Sequence, residues 1–584
     1  MKKYFLLLLS VGFLVSTGCN EDQLDIPQKG VISVDNFYQT DEDAEAALTV
    51  VYYDTHINFS FMGEVTGYNY GPYFALTNFN SPDAWLAGSG PEDCVDERAY
   101  QQFRYTNDNL VPLGGYTAFY RSIHKCNLVI NNFTTERLGK TLTPTMQRCV
   151  AEARVMRAFD HMMLGIYWGT PPIVTTVLSG TDRPENAESQ EAVMTWVANE
   201  IDAALPHLEE RESPSDYEGA VKITKGFALA VKGKALLWKG DYAGARDALK
   251  QVISSGKYEL LPSENMHYIL HGKGKGSPEV VFEFNAVYVP GVVTNLQQRA
   301  GWNDIMTFNW RFENMAALAD SQIKSGGWGW MNPTGDFARD LIDNDGMDSY
   351  RRKAWIKTYD ELLYDHKWAA DPDDWTPGSD GANAYKKTDV GARGVLANAS
   401  IHANEGYFIW KNVPHVDQGD VINEGWAGTW NKNFQIMRYA EVLLMYAEAC
   451  AQTPETSDDA DGLAALNAIQ NRAGSNYVST VLDLKDVKNE MRFELWLEGD
   501  RTVNLIRWGD TQQLKEVGSY MPDLRDVLNY GKGSEHGVYI DASKATYYKD
   551  TYDIGFKPGK HELLPFPKRA VDLNSGLKQN PNWD

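Results

Sequence analysis

Basic residues are scarce and never cluster: 55 Lys and Arg stand against 79 Asp and Glu, for a net charge of −24 over 584 residues. A nucleic-acid partner needs a basic footprint, so that class is excluded. Cysteine is rarer still, with five in all, and Cys94, Cys126, Cys149 and Cys450 are too scattered for a disulfide framework. Cys126 and Cys149 fall on consecutive predicted helices, which leaves a single bridge between them to test against buried thiols. No apolar run reaches the ~20 residues of a membrane-spanning helix. Catalytic signatures are missing too. His561-Glu562 lacks the second histidine of a zincin, GKGKGS at 272–277 lacks Walker A spacing, and no GxSxG elbow occurs. Asp343, Asp345 and Asp348 are the residues a structural Ca²⁺ would use, and no other cofactor is expected. Glycoside hydrolysis needs two facing carboxylates; Asp83, Asp93, Asp336 and Asp373-Asp374 are the loop acids open to that test.

What is present begins at the N-terminus. Lys2 and Lys3 precede an apolar stretch from Tyr4 to Val15, and small residues lead through Ser16, Thr17 and Gly18 to Cys19. That pattern is a secretory signal. Cysteine directly after Gly18 resembles the bacterial lipoprotein cleavage site, although Ser16 stands where Leu or Val is usual. The resemblance implies removal of residues 1–18 and acylation of Cys19, which ties the chain to a membrane.

Helical periodicity dominates 40–255, in segments near 41–57, 116–133, 146–167, 189–208, 222–238 and 242–254, and returns over 433–508. VKGKALLWKGDYAGARDALKQVI at 231–253 carries tetratricopeptide grammar: Gly233 and Ala245 let two helices approach, and Gly240-Asp241 turns the chain. RYAEVLLMYAEAC at 438–450, followed by Gly462 to Gly474, looks like a looser copy. Such units bury their faces only by stacking. Between the copies, 256–432 is rich in Gly, Trp, Asn and Pro, and is too long for a loop.

Several segments then match the SusD/RagB family in order and spacing. GYTAFYRSIHKCNLVINN (115–132) and AEARVMRAFDHMMLGIYWGTPPIV (151–174) resemble its first signatures. GGWGWMNPT (326–334), RYAEVLLMYAEA (438–449), LNAIQNRAG (466–474) and RFELWLEGDRTVNLIRWG (492–509) follow, and ELLPFP with LKQNPNW (562–583) closes the chain. The resemblance implies a mostly α fold: a tetratricopeptide-like helical-repeat scaffold with a large irregular loop-rich insertion. It implies a signal peptide at 1–18, a lipid-anchored linker at 19–39, and an N-terminal helical region at 40–255 with a ligand-site loop at 58–115. The insertion spans 256–432 and the C-terminal helical region 433–584. Glu152, Arg154 and Arg157, like Arg492, Glu494, Glu498 and Arg501, look like internal ion pairs and caps, since buried charges persist only when paired.

In such proteins the role is to bind oligosaccharide or polysaccharide at the outer membrane, facing outward, and to deliver it to a SusC-like TonB-dependent transporter. Asn20, Glu21 and Asp22 resemble the surface-export signal of lipoproteins in the same bacterial group. No enzymatic activity is implied. The alternative is a helical-repeat protein that binds peptide. A sugar ring offers an apolar C–H face to an aromatic ring and a hydroxyl rim to polar side chains. The loops supply both in Asn78, Asn80, Asp83 and Trp85, then Trp302, Asn303, Trp310, Arg311, Trp330 and Trp375, which are the candidate glycan contacts.

Overall fold

Side-chain caps set the helix starts that periodicity only brackets. Asn109 accepts from Val111 N at 3.0 Å, and Thr143 accepts from Met146 N at 3.1 Å with Pro144 in the first turn. The computed structural model describes residues 37–60, 71–86, 94–286, 331–358, 361, 403–413, 420, 431–453, 459–522 and 546–583. The helices used below are α1 (Asp41–Ser60), α2 (Pro72–Asn78), α3 (Val95–Gln101), α4 (Leu110–Asn132), α5 (Pro144–Trp168), α6 (Gln190–Ala204), α7 (Lys225–Lys239) and α8 (Tyr242–Ser254). Past the insertion's first strand come α9 (Gly335–Asp345), α10 (Tyr350–Trp355), α11 (Tyr439–Ala451), α12 (Asp459–Ala473), α13 (Leu484–Glu494) and α14 (Arg501–Trp508). The region read as a loop at 58–115 therefore holds α2 and α3, each too short to show a period. Helix α6 stops at Ala204 because a 3₁₀ turn containing Pro206 follows it.

Each long helix packs on the next: α1 on α4, α4 on α5, α5 on α6, α6 on α7, and α7 on α8. The succession then skips the insertion, with α8 on α11 and α11 on α12, so the two blocks form one stacked spine. The α7–α8 pair shows why the repeat grammar is needed. A Cβ on Gly233 would lie 2.5 Å from Leu249 Cγ, Gly240 takes φ +80°, and Asp241 caps Gly244 N at 3.0 Å. At the second pair a Cβ on Gly462 would meet Cys450 Cβ at 2.7 Å.

The described strands form two-stranded antiparallel pairs. β2 (Val280–Phe284), early in the insertion, pairs with β6 (Phe434–Arg438), just after it, which closes the insertion at its base. β1 (Ala84–Leu86) pairs with β3 (Met331–Pro333), β4 (Ile356–Thr358) with β5 (Tyr407–Ile409), and β7 (Tyr520–Met521) with β8 (Thr546–Tyr547).

Buried charges fasten insertion to spine. Glu494, at the end of α13, receives Arg472 at 2.5 Å, Arg438 at 3.0 Å and Arg351 at 3.3 Å. Arg438 and Arg472 also hold Glu279, while Arg438 and Lys411 hold Glu498. Burial opposes charge on Glu494, but the cations around it win and hold its carboxyl near 2. Two possibilities left open by the sequence meet the structure here. Arg351 grips both oxygens of Asp345 at 2.8 Å, so the Asp343–Asp348 segment spends its central acid on an ion pair. Among the described residues no group of three or more His, Cys, Asp or Glu is arranged to hold a metal. Cys126 on α4 and Cys149 on α5 are separate, buried free thiols, with Cys149 pushed up to about 12 chiefly by burial.

Candidate functional site

The segment leaving α2 carries four of the candidate contacts, and the first three face inward. Asn78 Oδ1 accepts from Gly499 N at 3.0 Å, and its amide donates to Phe74 O and Thr77 Oγ1. Asn80 is buried, and its backbone carbonyl accepts from Thr502 Oγ1 at 2.9 Å. Asp83 lies between two guanidiniums, Arg492 at 2.8 Å and Arg501 at 2.7 Å. Burial disfavours its charge, yet both arginines together keep its carboxyl below the usual range. Polarity at 78–83 therefore anchors the loop to α13 and α14. Both Asp83 carboxylate oxygens are engaged by Arg492 and Arg501, and the residue is buried.

Trp85 sits in the middle of β1 opposite Asn332 and is 6% exposed. Its indole N–H donates to Glu405 Oε2 at 2.7 Å, and Gly335 N at the start of α9 donates to the same oxygen. Burial raises Glu405 above the ordinary carboxylate value, against the lowering effect of these two donors. The Trp85 ring meets Tyr520 edge-on at 4.5 Å, and Tyr520 lies 5.7 Å from Tyr547. Trp85, Ala403, Met521 and Tyr548 form a small apolar cluster separate from the main core. On its outer side Asp336, 86% exposed, pairs with Arg339 at 2.6 Å.

Four segments outside the described residues begin or end at this patch. Leu86 pairs with Met331, Ala403 N donates to Pro522 O at 2.6 Å, and Met521 pairs with Thr546. These residues flank 87–93, 287–330, 362–402 and 523–545. Trp302, Asn303, Trp310, Arg311, Trp330 and Trp375 lie outside the described residues, as do Cys19, Asp93, Asp373 and Asp374. Sequence reading missed Glu405, Arg339, Tyr520 and Tyr547. Only Tyr520 and Tyr547 carried a signal, as aromatics in the irregular C-terminal tail.

The arrangement offers aromatic rings beside a charged rim, with its buried acid turned to protein donors. The model of the SusD family matches residues 279–583. A SusD-like protein of Bacteroides ovatus is 23% identical over 99% of this chain and 97% of its own length. Surface glycan-binding protein A of Bacteroides thetaiotaomicron, solved in complex with laminarihexaose, superposes with a TM-score of 0.68 at 18% identity, covering 93% of this chain and 100% of that one. A SusD-like carbohydrate-binding protein of Bacteroides fragilis gives 0.65 at 19% identity, over 93% of this chain and 100% of that one. The mostly helical, tetratricopeptide-like scaffold read from the sequence is the fold these structures share.

Proposed function

Because the chain belongs to the SusD family, we propose that it captures oligosaccharide or polysaccharide at the cell surface and hands it to a SusC-like TonB-dependent transporter, without chemistry of its own. The observation that carries this reading is the near-complete fold shared with proteins solved as glycan binders. The patch around Trp85 supports it: aromatic rings suit the C–H face of a sugar and the Asp336–Arg339 rim suits its hydroxyls. Trp302, Asn303, Trp310, Arg311, Trp330 and Trp375 remain proposed contacts, carried by segments whose described ends meet there. Cys19 is the proposed acylation site that holds the protein on the outer membrane, facing outward.

Titration calorimetry against laminarihexaose, maltohexaose, cellohexaose, xylohexaose and mannohexaose, and against their parent polysaccharides, tests the reading. Binding to at least one glycan is expected, with no reducing sugar released from it, and Cys19→Ala should move the protein from the membrane fraction to the soluble one. Reducing ends accumulating in proportion to protein, or binding to peptides alone, would contradict it.

A further inference from the structure

The aromatic rings of the patch are not equivalent. Trp85 is buried, its N–H is committed to Glu405, and its ring meets that of Tyr520 in a T-shaped contact. Tyr548 is buried, with Arg98 over its ring at 5.5 Å. Tyr547 has Lys549 over its ring at 5.6 Å. Tyr520 is left: on β7 it packs against the cluster through Trp85 and lies beside Tyr547, yet it is only half-buried and keeps part of its surface open. Contacts then run outward without a break. Tyr520 touches Trp85, Trp85 is bonded to Glu405, Glu405 accepts from Gly335, and the next residue is the exposed Asp336 paired with Arg339.

We propose that Tyr520 is the ring on which a pyranose of the bound glycan stacks, with Trp85 and Glu405 as positioning residues behind it and Asp336 and Arg339 as the hydroxyl-binding rim. The inference rests on the glycan-capture reading. Burial, then the nearby Glu405 and Asp336 carboxylates, raise the Tyr520 hydroxyl above its ordinary value, so it stays protonated and can donate to a ring or glycosidic oxygen. A stacked aromatic contributes beyond its buried area. Its loss, area included, should weaken binding about thirtyfold.

Calorimetry with whichever of the five hexasaccharides binds the parent, alongside thermal melting, provides the test. Tyr520→Ala and Tyr520→Leu should both bind about thirtyfold more weakly, the leucine keeping the volume without the flat ring. Tyr520→Phe should stay within about threefold of the parent. Trp85→Phe should weaken binding, and Trp85→Phe with Tyr520→Leu should be no weaker than Tyr520→Leu alone, because a positioning residue acts through the group it holds. Parent-like affinity in a folded Tyr520→Leu, or additive losses in the double variant, overturns the inference while glycan capture stands. A parent that binds none of the panel removes the glycan-capture reading itself.

Discussion

Glu494→Ala is expected to cost about 3–5 kcal/mol of stability, a range typical of removing one partner from a buried ion-pair network. The glutamate's own desolvation would be relieved, yet Arg351, Arg438 and Arg472 would remain buried, with Asp345, Glu279, Glu490 and Glu498 left to balance them. Those three arginines come from the insertion, from β6 and from α12, so the loss should loosen insertion from spine. Chemical denaturation should show a lower midpoint, and native-state hydrogen exchange should quicken at β2 and β6 before α4 and α5. Acid gives the complementary result. The folded Glu494 carboxyl is held near 2, below its unfolded value. Its contribution is therefore fully present above the ordinary glutamate range and is lost as pH falls through about 2. A parent–variant difference in stability that persists unchanged below that pH would contradict the role given to Glu494.

Asp83→Asn should be nearly as damaging, at about 3 kcal/mol, because it leaves Arg492 and Arg501 facing a neutral group. Arg492 keeps Asp340 at 2.6 Å, which places the expected loss at the lower end of that range. The same carboxylate fixes the loop that carries Trp85, so glycan affinity and melting temperature should fall together. Two outcomes would return Asp83 to the ligand-contact list. One is a variant that melts like the parent but no longer binds. The other is a parent that hydrolyses glycan through an activity the variant lacks.

The spine was legible because its determinants are local. The segment read as 242–254 is the helix Tyr242–Ser254 to the residue, since Asp241 caps it and its apolar positions repeat every turn. Gly233 marked a close helix approach through spacing alone. The site was legible only as composition. Asn78, Asp83 and Trp85 stood out as polar and aromatic loop residues, but what decides their roles lies far along the chain. Arg492 and Arg501 are 409 and 418 residues from Asp83, and Glu405 is 320 from Trp85. No periodicity encodes such partners. The pairing that joins Leu86 to Met331 likewise depends on three-residue strands, below the length at which alternation shows. Buried polarity and exposed polarity look identical in sequence, and the inward turn of Asn78, Asn80 and Asp83 is the result.

Hydrogen–deuterium exchange of the full chain, with and without a saturating hexasaccharide from the panel, tests the central claim most directly. The account expects slower exchange on binding at 84–86, 331–336, 403–409 and 520–522, with the α7–α8 and α11–α12 faces of the spine unchanged. Protection confined to those spine faces, with the Trp85 patch unaffected, would contradict it.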